Sequence, residues 1–129
     1  MNKTTVLLKM TLLIIVALGF VASQVLAQDM AKVASKNVKV VLDNDKVRVL
    51  DVQIKAGDKL PMHSHPANIV IPMNSGKVKT TLADGKVMER EFKQGEPIWS
   101  EAVTHSNEAL TDNHVLVVEL KDHKMMKKK

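Results

Sequence analysis

The chain contains no cysteine, and its aromatic residues are two phenylalanines and one tryptophan. The absence of cysteine excludes disulfide bonds, thiolate metal ligands and a lipid-modified cysteine. Beyond residue 27 the aromatic residues are Phe92 and Trp99. Two aromatic side chains are too few for the platforms on which proteins stack bases or sugars. The composition therefore argues against binding of nucleic acid.

The positive charge of the chain is confined to its two ends. The formal net charge is +5, and residues 28 to 120 contain 12 basic and 13 acidic residues. The excess of lysine lies in the first residues, at Lys3 and Lys9, and in the ending "KDHKMMKKK". Because the central part has no broad basic surface for phosphate contacts, nucleic acid is again disfavoured as a partner.

Residues 1–27 have the pattern of a secretory signal peptide. Lys3 and Lys9 precede an apolar run at residues 10 to 22, and Val25-Leu26-Ala27 is a small-residue cleavage pattern. An uncleaved membrane anchor is the alternative, but the run is shorter than the roughly 20 apolar residues of a spanning helix. We expect cleavage after Ala27, a periplasmic or secreted protein, and no stable membrane insertion after cleavage.

The rest of the chain predicts a single all-β domain. Short runs rich in valine, isoleucine and threonine recur between turn signals, among them "NVKVVLD", "KVKTTLA" and "NHVLVVEL". Asp84-Gly85 suits the positive dihedral angles of a tight hairpin turn. Regular short strands of this kind indicate a sandwich or a barrel. We expect a flexible N-terminal segment at residues 28–36, the β domain at 37–120 and a basic tail at 121–129.

Strand alternation in "KVRVLDVQIK" places Arg48 on the same face as Leu50, Val52 and Ile54. We predict that this face is buried. Arg48 would then lie at the end of an apolar row, at a barrel mouth, where a guanidinium could bind a substrate carboxylate with two hydrogen bonds. The alternative is an arginine that extends to solvent or pairs with an acid such as Asp45.

Three histidines form the candidate metal site. His63 and His65, in "PMHSHP", share one face of a strand because side chains alternate with a period of two, and His105 lies in a later strand. We expect the three rings to meet because the sheet folds back on itself as a small barrel. Histidine is a common ligand of divalent transition metals. The alternative is that the histidines only form hydrogen bonds.

Residues 38 to 120 resemble the cupin superfamily, whose first motif is G(x)5HxH(x)3,4E(x)6G. The sequence matches it at Gly57, His63, His65 and Gly76. The second motif, G(x)5PxG(x)2H(x)3N, matches at His105, with Gly95 one place out and other residues in its Pro, Gly and Asn positions. The resemblance implies a single cupin-type β-barrel, also described as a double-stranded β-helix or jelly roll. "DNDKVRVLDV", "PMHSHP" and "HVLVVELK" are similar to short cupins labelled β-alanine degradation proteins.

The sequence departs from the cupin pattern at the metal-binding glutamate, whose position falls on Ile69 or Val70. Three neutral imidazoles would leave the full charge of a divalent ion, which suits Fe, Zn, Ni or Cu and favours an anionic ligand. Glu101, four residues before His105, is a candidate substitute carboxylate or substrate-binding residue. The alternative is that Glu101 is an ordinary solvated side chain.

Three classes of function remain open from the sequence. The first is a metal-dependent enzyme, oxygenase-like or isomerase-like, that acts on a small, anionic metabolite; some cupins with three histidines and no glutamate are iron dioxygenases. The second is a non-catalytic barrel that binds a small molecule or a metal such as copper, for which Met62 and Met73 would offer soft ligands. The third is a fold whose histidines are only structural. Cupins often form dimers, so the resemblance also implies a homodimer.

Overall fold

The structure, a computed structural model, describes residues 28 to 121. The predicted signal peptide at residues 1–27 and the tail from residue 122 onward lie outside the described residues. Within the described range, no helix is long and apolar enough to cross a membrane. The elements in this range are α1 (Met30–Val33), β1 (Val38–Asp43), β2 (Val47–Ile54), β3 (Lys59–His65), β4 (Asn68–Pro72), β5 (Gly76–Leu82), β6 (Val87–Phe92), β7 (Ile98–Ser100), β8 (Val103–Ala109) and β9 (Asn113–Leu120).

The strands form two antiparallel sheets that share one core. One sheet has five strands in the order β1-β2-β9-β4-β7, and the other has four in the order β3-β8-β5-β6. Apolar side chains from both sheets pack together, so the all-β prediction is confirmed. The buried core consists of Met30, Ala34, Val38, Leu50, Val52, Ile54, Leu60, Val78, Ala109, Val115 and Val117.

Alternation along β2 and β9 decides which side chains face the interior. On β2, Leu50, Val52 and Ile54 are 0%, 3% and 6% exposed, which confirms the predicted buried face. On β9, every second residue from Asn113 to Glu119 is buried. The inward row of β9 therefore begins and ends with a polar side chain.

Two glycines are required by the geometry of β5. The predicted hairpin between β5 and β6 is confirmed: Gly85 has a φ of 89°, and the Leu82 backbone N–H donates to the carbonyl of Lys86 over 2.8 Å. At the other end of β5, a Cβ on Gly76 would lie 2.1 Å from Oδ1 of Asn113. Only glycine lets the backbone of β5 lie this close to the side chain of Asn113.

The N-terminal segment, residues 28–36, for which we expected flexibility, packs against the barrel. Met30 is 3% exposed and Ala34 is 6% exposed. The backbone N–H of Ser64 donates to the carbonyl of Gln28 over 2.9 Å, which attaches the segment to β3. Burial of these apolar side chains and the hydrogen bond offset the conformational entropy lost on ordering.

Candidate metal centre

The structure brings the three predicted histidines together. His63 lies directly opposite His105 on the paired strands β3 and β8, and His65 follows two residues later on β3. One candidate ligand nitrogen from each of the three rings lies within 4.8 Å of those of the other two. The reason differs from our expectation, because the rings belong to two neighbouring strands of one sheet and need no closure of a barrel.

Local irregularity of β3 helps to aim these rings. The pairing of β3 with β8 shifts register between Leu60 and His63. Because of the shift, both side chains are buried although they are three residues apart, with exposed fractions of 3% and 0%. A regular strand would turn one of them to the outer face.

His63 has one ring nitrogen paired and the other without a partner. Its Nδ1 lies 2.7 Å from the carbonyl oxygen of Pro61. Since a carbonyl only accepts, Nδ1 carries the proton and donates. Nε2 is buried and has no hydrogen-bond partner among the described residues. A buried nitrogen without a partner is unfavourable in a purely structural histidine, whereas a metal ligand has this arrangement.

His65 is oriented by a carboxylate in the same way. Its Nδ1 lies 2.7 Å from Oε1 of Glu119, and the side chains are 5% and 3% exposed. Nδ1 donates to the carboxylate, so Nε2 is the nitrogen that could bind a metal ion. Carboxylate-held histidines of this type are a regular feature of metal sites, because the acid fixes the ring and increases its basicity.

Glu119 is itself held by an arginine. Nε of Arg48 donates to Oε2 of Glu119 over 2.7 Å. The two terminal nitrogens of Arg48 donate to both carboxylate oxygens of Asp29, over 2.8 and 3.0 Å. Burial would raise the pKa of the Glu119 carboxyl, but hydrogen bonds from His65 and Arg48 outweigh burial and lower that pKa. These hydrogen bonds form a continuous network of side chains from Asp29 through Arg48 and Glu119 to His65.

The electrostatics keep two of the histidines neutral. Burial is the main cause that lowers the pKa of His63 to about 4 and that of His105 to about 3, with a smaller contribution from neighbouring histidines. Metal ions bind the deprotonated imidazole. At neutral pH these rings therefore have their lone pairs available, and the three-histidine cluster fits a divalent ion.

Glu119 is the functional residue that the sequence analysis missed. The signal was present in "NHVLVVEL", because Glu119 has the same parity as the apolar residues Val115 and Val117. An acid in an inward-facing row is almost never buried without a partner. Parity alone would have placed it inside, although it could not have shown that His65 is the partner.

Arg48 lies at the end of its buried row, as predicted, but its guanidinium faces two carboxylates. These are Asp29 and Glu119; Asp45, the acid named in the alternative interpretation, lies near Lys46 at 3.7 Å instead. The role of Arg48 in binding a substrate anion stays a prediction, and these contacts do not support it. The sequence analysis did not consider Asp29 as a partner of Arg48, because it predicted a flexible segment at residues 28–36.

The comparisons with known proteins agree with this architecture. No protein-family model and no curated protein matches the chain. A cupin domain from Bordetella pertussis Tohama I is similar in structure with a TM-score of 0.60 and 22% identity, over 66% of this chain and 92% of the other. The chain has the cupin fold.

Other cupins give the same result. An RmlC-like cupin with a double-stranded β-helix fold from Methanocaldococcus jannaschii gives a TM-score of 0.54 at 16% identity, over 70% of this chain and 84% of the other. A cupin superfamily protein from Desulfitobacterium hafniense gives 0.52 at 13% identity, over 66% and 76%. At these identities the likeness concerns the fold alone, and the β-alanine degradation label is not confirmed.

The structure distinguishes Ile69 from Val70, the two positions at which the cupin motif would place a glutamate. Val70, His65 and His105 line one cavity between the two sheets. Alternation along β4 turns its neighbour Ile69 to the other face of the sheet. Of the two positions left open by the sequence, Val70 is therefore the one that faces the cluster, and an apolar side chain stands there.

Three other candidate ligands lie away from the cluster. Glu101 is exposed, and its carboxylate accepts a hydrogen bond from Nε1 of Trp99 over 2.7 Å. Nε2 of His114, on β9, lies 2.9 Å from Oδ1 of Asp51, and His114 is not part of the cluster. Met73 is 42% exposed. Among the described residues, the group that could hold a metal ion is His63, His65 and His105.

A partly open cavity of about 70 Å³ adjoins the cluster. His65 and His105 form part of its wall, and apolar side chains from both sheets form most of the remainder. Among the described residues that line it there is no carboxylate. One side of the cluster is therefore closed by the hydrogen-bonded side chains of Asp29, Arg48 and Glu119. Another side is open to a small, largely apolar space.

Proposed function

We propose that this chain is a small secreted cupin that holds one divalent metal ion through His63, His65 and His105 and binds a small, anionic metabolite beside it. The observation that carries the proposal is the buried Nε2 of His63, which has no hydrogen-bond partner among the described residues. It belongs to a group of three imidazole rings close enough to share one ion.

The metal would supply positive charge and open coordination positions. With three neutral ligands and no carboxylate at Val70, a bound Fe, Zn, Ni or Cu ion would retain its charge and attract an anion. The residues of this chain bind and orient: Pro61 and Glu119 fix two histidine rings, and the apolar wall excludes water. The reaction class that we propose is oxygenase-like or isomerase-like, in line with cupins that hold their metal through three histidines and no glutamate.

A non-catalytic binding barrel is the second candidate function, and one observation favours it. General acid or base catalysis needs a side chain that exchanges a proton with the substrate. Among the described residues, the cavity wall has no carboxylate and no lysine, and Glu119 is held by His65 and Arg48. Copper binding belongs to this candidate, since Met30 lines the cavity and offers a soft sulfur.

Calorimetric titration of metal-stripped protein, residues 28 to 129, with Fe(II), Zn(II), Ni(II) and Cu(II) tests the proposal. We expect one ion per chain, and loss of binding in the His63→Ala, His65→Ala, His105→Ala triple variant. His114→Ala is the matched control, because His114 lies on β9 and pairs with Asp51. Equal binding by the wild type and the triple variant would show that the histidines are structural.

Secretion is part of the proposal and has its own test. Sequencing the N-terminus of protein isolated from the periplasm or the medium should begin at Gln28, as the cleavage pattern at Ala27 predicts. An N-terminus that retains Lys9 would contradict it. Homodimer formation, implied by the resemblance, also stays a proposal.

A further inference from the structure

The two arginines of the chain, Arg48 and Arg90, have different surroundings. Arg90 lies on β6, where the exposed residues Glu89 and Glu91 alternate with partly buried ones. Alternation therefore places Arg90 on the inner face of the four-stranded sheet. Its side chain lines the same cavity as His65 and His105.

The acidic residues on and near β6 form ion pairs with lysines. Glu91 lies 3.9 Å from Lys77, and Glu108 lies 2.7 Å from Lys79. Among the described residues, no carboxylate lies within ion-pair distance of Arg90, whereas Arg48 has two. A guanidinium that is partly withdrawn from water and has no counter-ion is unfavourable. An anion that enters the cavity would remove this penalty.

Asn107 offers a second donor to the same space. The Thr80 hydroxyl donates to Oδ1 of Asn107 over 2.9 Å, which fixes the amide with its N–H groups on the other side. Nδ2 of Asn107 lies 3.4 Å from Nε2 of His105, at the upper limit of a hydrogen bond. Asn107 also lines the cavity, so its amide is available to a stronger acceptor.

The size of the cavity limits the ligand. Its volume is about 70 Å³, roughly half of the ~150 Å³ that accommodates benzene in an engineered cavity. A ligand that fills it has few non-hydrogen atoms. A carboxylate suits both donors, because its two oxygens accept hydrogen bonds from a guanidinium in parallel and at short distance.

We propose that Arg90 and Asn107 bind the carboxylate of a small organic acid beside the three-histidine cluster, and this inference rests on the proposed function in that the metal ion would complete the binding site. Arg90 is then the residue that selects an acid over a neutral molecule of the same shape. Arg48, the arginine predicted for this role from the sequence, holds Glu119 instead.

Acetate is the probe, and acetamide is its uncharged counterpart. The chain has two arginines, so a nitrogen-15 NMR spectrum of the arginine Nε–H groups contains one signal for each. On titration of zinc-loaded protein at pH 6.5, where acetate is ionised, we expect the Arg90 signal to move and saturate while the Arg48 signal stays in place. Acetamide should move neither. An Arg90 signal that acetate leaves unchanged would overturn the proposal.

Variants test the assignment to Arg90. In Arg90→Gln, followed through the side-chain NH₂ signals of Asn107, acetate should bind at least about tenfold more weakly, the loss expected for one charge-assisted interaction. Lys93→Gln is the matched control, since it removes the same charge from an exposed position near the end of β6; it should bind acetate within twofold of wild type. Wild-type acetate affinity in Arg90→Gln would show that Arg90 only extends to solvent.

The zinc affinity of the same variants separates this inference from the proposed function. Arg90→Gln should bind zinc at least as tightly as the wild type does, because Arg90 is not a ligand and its positive charge disfavours a cation at His105. If wild-type protein binds no zinc, the proposed function fails, and the acetate titration of metal-free protein still decides the role of Arg90: a moving Arg90 signal supports it, and a fixed one overturns it.

Discussion

Arg48 and Arg90 stand on inward faces of opposite sheets, and their surroundings differ. Arg48, on β2, donates to Asp29 and Glu119, and its hydrogen bond to Asp29 is the main cause that raises its pKa. Arg90, on β6, lines the cavity and has no ion-pair partner in the part of the chain that the structure describes. The histidine cluster lies between a closed, fully paired side and an open side.

The comparison shows what an inward-facing arginine does in this fold. On the Arg48 side, every charge has a partner, so the groups hold one another and keep the ring of His65 in one orientation. On the Arg90 side, the charge is available to an incoming anion. Both arginines follow the same strand alternation in sequence; the acids supplied by distant segments, Asp29 and Glu119, make the difference.

The largest expected effect is on stability, and it should separate the two arginines. Arg48→Gln leaves buried Glu119 without one of its donors, and removal of one partner from a buried ion pair costs about 3 kcal/mol. Arg90→Gln breaks no ion pair among the described residues and should change stability by less than about 0.5 kcal/mol. Urea unfolding of the metal-free proteins measures both. A loss in Arg48→Gln as small as the one expected for Arg90→Gln would mean that the hydrogen bonds of Arg48 to Asp29 and Glu119 do not hold the fold.

The next effect concerns metal affinity on the closed side. Glu119→Gln keeps the shape of the side chain but removes the charge that orients and polarises His65, so zinc affinity should fall by about 10- to 100-fold. Glu108→Gln is the matched control, because it changes the same charge on the outer face, where Glu108 pairs with Lys79. Calorimetric titration compares the two. An affinity in Glu119→Gln equal to that of the control would remove Glu119 from the metal site.

A third prediction concerns pH and the cluster between the two sides. The folded-state pKa values of His63, about 4, and His105, about 3, lie below the unfolded value near 6.5. The unfolded chain therefore binds more protons as pH falls from about 6.5 to 4. Stability should decrease over that window by up to about 1.4 kcal/mol per pH unit for each histidine.

Urea unfolding of metal-free protein at a series of pH values measures this dependence. In His105→Gln one of the two contributions is gone, so the slope should be smaller than in wild type. Arg90→Gln should retain most of the wild-type slope, because burial rather than Arg90 is the main cause of the low His105 pKa. A stability that is flat from pH 6.5 to 4 would contradict the burial of neutral imidazoles.

The smallest effect is expected at Glu101. Its carboxylate is exposed and accepts a hydrogen bond from Trp99, so Glu101→Gln should alter zinc affinity by less than about twofold, as for surface substitutions. The same calorimetric titration serves. A tenfold loss of zinc affinity would indicate that Glu101 is the substitute ligand that the sequence suggested.

The residues that could be predicted are those governed by local periodicity. Alternation placed Leu50, Val52 and Ile54 inside, put His63 and His65 on one face, and the turn chemistry of Asp84-Gly85 gave the hairpin. Period two reports only the face of a strand. It could therefore name the three candidate ligands, because the side chain of His105 lies on the inward face of β8, the strand that pairs with β3.

The residues that could not be predicted depend on which strands are neighbours. Strand β9 lies between β2 and β4, and this order brings Glu119 to Arg48 and His65. The N-terminal segment that carries Asp29 looked flexible because it is short and lies ahead of the first strand. Its placement comes from burial of Met30, a tertiary effect that no local pattern contains.

The central claim is that one ion binds to the three histidines between the paired side and the open side. A crystal structure of zinc-loaded protein, with anomalous data at the zinc edge, tests it most directly. We predict a single zinc at about 2.0–2.1 Å from Nε2 of His63, Nε2 of His65 and a ring nitrogen of His105, with the contacts of Glu119 intact. Zinc bound elsewhere, or absent from these rings at saturating concentration, would contradict the account.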